Sequence, residues 1–244
     1  MIVERLSGDG AIGVADLATE LRVSAATIRR DLQLLEDQRM LRRTHGGAVA
    51  EGVLYELPIR YKAARRHDEK KRIAIEAASR VDDGAVVGFT GGTTTTEVAR
   101  ALFDRRGLTI VTNALNIAGE LAIRADIKLV VTGGTARPES YELVGPLAEQ
   151  ALSDLNIDLA FVGVDGIDAD AGLTTHHEVE AHTNRALIER ARRVIVVTDS
   201  TKVGRVAFAR ICPIEAVHEL ITDDGAPTLP LRALSQAGVT IETV

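Results

Sequence analysis

The sequence predicts a two-part chain: a small helix-turn-helix head followed by a larger α/β body built on a mostly parallel sheet. Three observations carry this. Two amphipathic segments lie close together within the first 50 residues, separated by a short break. From about residue 68 onward, short β-branched apolar runs alternate with helical segments, which is the α/β pattern. The charge is also divided: residues 81–244 carry 14 bases against 23 acids, whereas Arg22 to Ala48 carry six Arg against three acids. The formal net charge of −6 therefore hides a basic head and neck on an acidic body, an asymmetry that points to a polyanionic partner.

The head spans residues 1–52. Val14-Ala-Asp-Leu17-Ala-Thr-Glu-Leu21 reads as a short helix with Leu17 and Leu21 on one face. Arg22-Val23 breaks it, and Ser24 suits the N-cap of a second helix from Ala25 to Gln38. Ile28, Leu32 and Leu35 recur at helical spacing and make its buried stripe, leaving Ala26, Arg29, Arg30 and Gln33 on the opposite side. A recognition helix enters the major groove by its N-terminal residues. Small Ser24, Ala25 and Ala26 allow close approach there, and Thr27, Arg29 and Arg30 reach phosphates or base edges. Leu41-Arg42-Arg43-Thr-His45-Gly46-Gly47 then predicts a hairpin wing. The expected DNA-binding residues are Ser24, Ala26, Thr27, Arg29, Arg30, Gln33, Arg42, Arg43 and His45. The competing reading is a helical hairpin that makes only protein contacts. Before Ser7-Gly8-Asp9-Gly10 only about six residues remain for a first helix, which is short.

Residues 53–67 read as a linker. Pro58 predicts that any helix starts there. Arg60, Lys62, Arg65 and Arg66 could graze DNA phosphates, although a solvated linker accounts for them as well. Asp68-Glu69 open the next helix favourably against its dipole, and it is expected to run to about Val81.

The body, residues 68–244, is expected to bind an effector and to oligomerise. Its apolar runs are 85–89, 108–111, 127–131, 159–164, 194–197 and 219–221, each short and continuous, as strands buried on both faces are. They exit into Thr90-Gly91-Gly92-Thr93, Thr112-Asn113, Thr132-Gly133-Gly134, Asp165-Gly166, Thr198-Asp199-Ser200 and Thr222-Asp223-Asp224. In an open α/β sheet, ligands bind beyond the carboxyl ends of the strands. Turn and cap roles explain any one of these endings; six together predict a polar ligand site.

Gly92, Thr93, Thr94 and Thr95 lead into a helix, where open amides and hydroxyls make a phosphate cradle. Lys202 supplies a cation, and Arg137, after Gly133 and Gly134, a second. Asn113, Asp165 with Gly166, and Asp199 suit sugar hydroxyls. The loop is neither Walker A nor Gly-x-Gly-x-x-Gly, so no cofactor is expected. His176, His177 and His182 share no helix face and predict no metal, and the single Cys212 reads as a small buried hydrophobe. The low aromatic content of 3%, with no Trp, argues against stacking-based recognition of single strands. No membrane span or signal peptide is read, so a cytoplasmic protein is expected.

Val23-Ser24-Ala-Ala-Thr27-Ile28-Arg29-Arg30-Asp31-Leu32 with Leu41-Arg42-Arg43-Thr-His45-Gly46-Gly47-Ala48 resembles the winged-helix signature of the DeoR family of bacterial transcription regulators. Gly92-Thr-Thr-Thr95, Val111-Thr-Asn113-Ala-Leu-Asn116, Gly133-Gly134-Thr-Ala-Arg137-Pro, Val144-Gly145-Pro146, Gly163-Val-Asp165-Gly166-Ile and Asp199-Ser-Thr-Lys202-Val-Gly204-Arg205 resemble its effector domain. The resemblance implies a dimeric or tetrameric repressor that reads double-stranded operator DNA and responds to a phosphorylated sugar. It also implies a body similar to ribose-5-phosphate-isomerase-type folds. Three positions depart from the family pattern: Arg39 for a usual Gly, Thr90 for a frequent Asp, and Asn184 for a common Lys. The alternative function is a sugar-phosphate isomerase-like enzyme with an appended head, Asp165 or Asp199 acting as base beside Lys202. Against it, the glycine-rich segment with a catalytic Lys is not apparent, and no catalytic residue is expected.

Overall fold

The computed structural model describes residues 2, 5–6, 11–37, 41–49 and 59–244. The chain forms two compact units, Met1–Leu57 and Pro58–Val244.

In the smaller unit, β1 (Ala11–Gly13) leads into α1 (Val14–Leu21). Then come α2 (Ala25–Asp37), β2 (Arg42–Thr44) and β3 (Gly47–Val49). The turn between the helices is tight. Arg22 takes a left-handed conformation (φ 53°), and the Val23 amide donates back to the Ala18 carbonyl at 3.1 Å. Ser24 Oγ then accepts the Thr27 amide at 3.1 Å, satisfying one of the donors that a helix start leaves open. The strands form an antiparallel sheet in the order β1-β3-β2. A Cβ at Gly47 would stand 1.8 Å from the Ile12 carbonyl oxygen, so this close approach needs a glycine. Leu6, Ile12, Val14, Leu17, Ile28, Leu32, Leu41 and Ala48 form the core, with Leu21 and Leu35 packed at its edge. The expected turn at Arg39, most of the first helix, and residues 53–58 of the expected linker lie outside the described residues.

The larger unit opens with α3 (Ile59–Lys62) and α4 (His67–Ala78). Residues 59–67, expected as linker, are thus built into this unit: Ile59 is buried, and its amide donates to the Glu139 carbonyl at 2.7 Å. Helix α4 stops before Val81, because the amides of Ser79, Arg80 and Val81 turn back to carbonyls three residues earlier.

The chain continues through β4 (Val86–Phe89), α5 (Thr93–Ala101), β5 (Thr109–Thr112), α6 (Leu115–Leu121) and β6 (Lys128–Val131). A hairpin of β7 (Thr135–Ala136) and β8 (Leu143–Val144) precedes α7 (Pro146–Ser153) and β9 (Ile157–Val162). Next come β10 (Gly166–Asp168), β11 (Gly172–Thr175), α8 (Glu178–Ile188) and β12 (Ala191–Val197). The chain closes with β13 (Ala209–Cys212), β14 (Glu219–Thr222), α9 (Thr228–Gln236) and β15 (Thr240–Thr243).

Seven of these strands form one parallel sheet in the order β15-β14-β12-β9-β4-β5-β6. Alternate residues face opposite ways, as the two-residue period of a strand requires. Phe89, Ile110, Phe161, Ile195 and Val197 pack with α4, α5 and α6 on one side. Val111, Ala160, Val162, Val194 and Val196 pack with α7, α8 and α9 on the other. This three-layer arrangement is the expected α/β body. Three additions were not foreseen: the edge strand β15, the antiparallel sheet β10-β11-β13 and the β7–β8 hairpin.

The order of the sheet locates the site. From β4 the chain builds outward through β5 and β6, and then returns to build the other half from β9. The sequence of strands reverses between β4 and β9. Ligands of open α/β sheets bind at such a switch point, beyond the carboxyl ends of the strands.

Candidate functional site

In the smaller unit, Ser24, Ala26, Thr27, Arg29, Arg30, Gln33, Arg42 and His45 are exposed, and Arg43 is half-buried. Arg29, Arg30 and Arg42 make no ion pair among the described residues. Gln33 and Arg43 differ. Arg43 donates from its guanidinium to Gln33 Oε1 and from its backbone amide to Glu36 Oε1 at 2.9 Å. Gln33 Nε2 in turn donates to Asp37 Oδ1 at 3.0 Å. The two side chains fasten the wing to α2.

In the larger unit, the β4 and β9 ends meet at glycines. A Cβ at Gly163 would lie 2.7 Å from the Gly91 carbonyl oxygen, and the Thr90 hydroxyl accepts the Gly163 amide at 3.0 Å. Gly92 caps α5 with φ 138°, so the Thr run expected as a loop is the first turn of the helix itself. Thr95 and Thr96 hydroxyls donate back to the Gly92 carbonyl at 2.9 and 2.6 Å. The first amides of α5 have no partner within the helix by construction, and the helix dipole favours an anion there.

Two residues past Gly163, the half-buried Asp165 gathers cations. Its Oδ1 accepts from Lys62 Nζ at 3.1 Å and Lys202 Nζ at 3.4 Å, with His176 Nε2 at 3.9 Å. Burial pushes the Asp165 carboxyl up, but Lys62, Lys202 and His176 outweigh it and hold it well below the usual carboxylate range. Burial pulls His176 down, with Asp165 opposing and the two lysines adding to the effect. Lys70 is close by and buried; its Nζ donates to the Lys62 carbonyl at 2.6 Å and to that of Arg65. Burial brings its ammonium down to about 8, Asp199 opposing and Lys202 and Arg65 reinforcing. Arg66, in a left-handed conformation, donates to Ser200 Oγ at 3.1 Å and to Asp223 Oδ2 at 3.2 Å.

A chain of side chains leads away from Asp165. The Thr175 hydroxyl is 2.7 Å from Glu180 Oε1 and 3.2 Å from Asp165 Oδ2. Arg137 ion-pairs with Glu180. Glu142, on the β7–β8 hairpin, accepts the Gly91 amide at 2.6 Å and Asn113 Nδ2 at 3.5 Å, both on Oε1. Burial first, and then the charge of Glu180, hold the Glu142 carboxyl well above the usual range. A Cβ at Gly91 would meet Glu142 Cγ at 2.4 Å, so the glycine makes room for this side chain.

Gly92, Thr95, Asn113, Arg137, Asp165 and Lys202 are thereby linked around the switch point. The others serve differently. Thr93 and Thr94 lie in the first turn of α5. Gly133 and Gly134 enter the β7–β8 hairpin, Gly134 against the Val144 backbone. Gly166 pairs within the small antiparallel sheet. Arg137, expected as a free cation, is tied to Glu180, and Asp199, expected to meet sugar hydroxyls, accepts the Thr201 amide as a cap at 3.1 Å. Lys62 and Arg66, read from sequence as part of a solvated linker that could graze DNA phosphates, engage Asp165 and Asp223. The Arg60 side chain lies outside the described residues.

Lys70, Glu142, Thr175, His176 and Glu180 were missed. The sequence offers no signal for Glu142, because its hairpin has no apolar run to mark it. His176 stood out as part of a histidine pair, but its partner His177 caps α8 through Nδ1.

Comparison with known proteins places these features. A model described as the DeoR-like helix-turn-helix domain matches residues 1–51, and one described as the DeoR C terminal sensor domain matches residues 65–224. The HTH-type transcriptional regulator GlpR of Haloferax volcanii is 38% identical over 241 residues, which is 98% of this chain and 94% of that protein. The glycerol-3-phosphate regulon repressor of Escherichia coli K12 is 32% identical over 241 residues, 99% of this chain and 96% of that protein. Among solved structures, ribose 5-phosphate isomerase A from Methanocaldococcus jannaschii aligns with 56% of this chain and 54% of its own, at 22% identity and a TM-score of 0.42. Among the described residues no helix is long and apolar enough to cross a membrane. A helix-turn-helix head, a sensor body and near full-length regulator relatives leave one assignment: the chain belongs to the DeoR family of DNA-binding transcriptional regulators.

Proposed function

We propose that this regulator is a cytoplasmic repressor of sugar or polyol catabolism genes, working as a homodimer or homotetramer released from operator DNA by a phosphorylated sugar. Arg29, Arg30, Arg42 and His45 contact the duplex, with Ser24, Ala26 and Thr27 at the close-approach end of α2. Gln33 and Arg43 act through the wing contact that they form. The effector phosphate sits at the start of α5, around Gly92 to Thr95, with Lys202 and Lys62 as its cations. The observation that carries this reading is the convergence of two ammonium groups on one Asp165 oxygen beside an open helix N-terminus. Two cations around one half-buried carboxylate favour a dianion there. A relative named for the glycerol-3-phosphate regulon supports including polyol phosphates among the candidates. The isomerase alternative is not favoured, because the near full-length relatives are transcriptional regulators.

For the ligand to act, it must bind the DNA-competent and DNA-incompetent arrangements with different affinity. The test is a fluorescence-anisotropy titration of the DNA upstream of the chain's own gene, at fixed salt, with and without a panel of sugar and polyol phosphates. Selective binding that one phosphate ester weakens is the expected result. Lys202→Ala should then bind DNA normally and no longer respond to the ester. Operator affinity unmoved by every ester would sink the sensor reading, and turnover of an ester would restore the enzyme.

A further inference from the structure

We propose that Arg66 couples the effector site to the head. It clasps residues 59–66, the first described segment of the larger unit, to the carboxyl ends of β12 and β14, and the clasped arrangement is the one that holds operator DNA. This rests on the sensor reading above and adds to it the residue through which effector binding is passed on.

The first observation is where this segment is fastened. The Ile59 amide donates to the Glu139 carbonyl, in the turn of the β7–β8 hairpin, at 2.7 Å. Lys62 Nζ reaches Asp165, beyond β9, at 3.1 Å. Arg66 Nη1 reaches Ser200 Oγ, beyond β12, at 3.1 Å and Asp223 Oδ2, beyond β14, at 3.2 Å. From α4, Lys70 Nζ ties down the carbonyls of Lys62 and Arg65. The ends of β9, β12 and β14 and the hairpin thus hold one short segment, at the edge of the sheet where the proposed effector site lies.

The second observation is Arg66 itself. It takes φ 49° and ψ 44°, a left-handed conformation that costs any residue with a Cβ energy and persists only where the surroundings hold it. The carboxylate that holds it is fixed in advance. Asp223 is 1% exposed; its Oδ1 accepts the Ser200 amide at 2.6 Å, and its Oδ2 accepts the Gly225 amide at 3.2 Å beside the guanidinium. Arg66 is exposed, and Glu69 Oε1 at 3.5 Å offers it a second acceptor. A strained backbone and an exposed arginine on a fixed carboxylate make a clasp with two arrangements, held and released. A phosphate at the start of α5 draws the Lys62 ammonium from Asp165 and leaves more of the strain on Arg66. The ester thereby favours release, and by linkage release lowers operator affinity.

The experiment measures two affinities on the full chain. Operator DNA is titrated by anisotropy. The ester, chosen from three- to six-carbon polyol and sugar phosphates as the one that weakens operator binding most, is titrated by calorimetry. Arg66→Ala should bind that ester about fivefold more tightly and operator about twofold more weakly, as when the released fraction rises from about a tenth to about a half. A damaged fold does not give a gain of affinity. Arg66→Lys keeps a cation on the segment for Asp223 and should fall between the unaltered chain and Arg66→Ala. Ser200→Ala removes one of the hydrogen bonds that hold Arg66 and should tighten ester binding by about twofold, so the test does not depend on Arg66→Ala folding. Ester binding unchanged or weakened in Arg66→Ala, or in Ser200→Ala where that variant alone folds, overturns the proposal. Operator affinity of the unaltered chain unmoved by every ester overturns the sensor reading instead, a different outcome from a response that Arg66 does not alter.

Discussion

Lys62 Nζ stands 3.1 Å from Asp165 Oδ1, joining residues 103 positions apart. Lys62 closes a four-residue helix that begins just after the boundary between the two units, and Asp165 lies at the carboxyl end of β9. An anion that competes with Asp165 for this ammonium acts on the segment through which the chain passes from head to sensor. Lys62→Met should therefore weaken effector binding about tenfold, or ~1.4 kcal/mol. It should leave the salt dependence of operator binding unchanged. A salt slope reduced by about 0.9 would instead return Lys62 to the DNA backbone.

The salt dependence should come from the head. Arg29 and Arg30 are exposed on α2 and make no ion pair among the described residues. Removing one phosphate contact lowers the slope of log affinity against log salt by about 0.9. Arg30→Ala is expected to do this, or to relax base preference if the guanidinium reads a guanine. Arg43→Ala should act differently, because Arg43 ties the wing to Gln33 and Glu36. Its effect should fall first on the thermal stability of the head. Parallel salt titrations and melting curves of the two variants separate the roles, and identical behaviour would discard the distinction.

Lys70 gives a signed pH effect. Its ammonium is held down to about 8 by burial, against an unfolded value of 10.5. Below pH 8 both states are protonated and the full burial penalty is present. Between 8 and 10.5 the unfolded state binds more protons, so stability rises with pH. The total is on the order of 3 kcal/mol. Lys70→Met removes the burial penalty but orphans the carbonyls of Lys62 and Arg65, which costs roughly 1–3 kcal/mol, so it falls furthest below the unaltered chain at high pH. It should also lose the rise. Urea denaturation of both proteins from pH 7 to 10.5 measures the difference, and parallel curves would show that Lys70 does not carry it.

Much of this was legible because local chemistry and tertiary structure agree. Ile28 and Leu32 announced a buried face at helical spacing, and Ser24 announced a cap; both act as their residue types suggest. The strand cores such as Val194 to Val197 were visible as continuous apolar runs, since both faces are covered. β15 was not, because Thr240 to Thr243, at an edge of the sheet, hold a single apolar residue, Ile241. The site was only half legible. Gly92 and Lys202 sit in recognisable strand endings, whereas Lys62 arrives from a short helix and Glu142 from the residue just before a two-residue hairpin strand. Charge on Lys62 was readable; its partner was not, because a sequence shows that a lysine needs an anion and leaves open which one. The same holds for Arg66, whose basic neighbours suggested DNA and whose actual partner is Asp223.

Gly47 offers the sharpest separation of the two functions. It opens β3 and pairs with Gly13 and Thr44 on its two neighbours. An added Cβ would fall 1.8 Å from the Ile12 carbonyl oxygen and 2.9 Å from its carbon. These are backbone atoms of the adjacent strand, which cannot swing aside as a side chain can. Gly47→Ala must therefore push β1 from β3, and Ile12 and Ala48 leave the core of the head with it. The wing then loses the strand on which it is built. Operator binding should fall by at least about tenfold, matching a loss of ~1.4 kcal/mol or more. Effector binding should not change, since the sensor is a separate compact unit with its own core. Anisotropy with operator DNA and calorimetry with the effector, on one preparation, decide the point. Loss of both activities would show that the head and sensor do not fold independently.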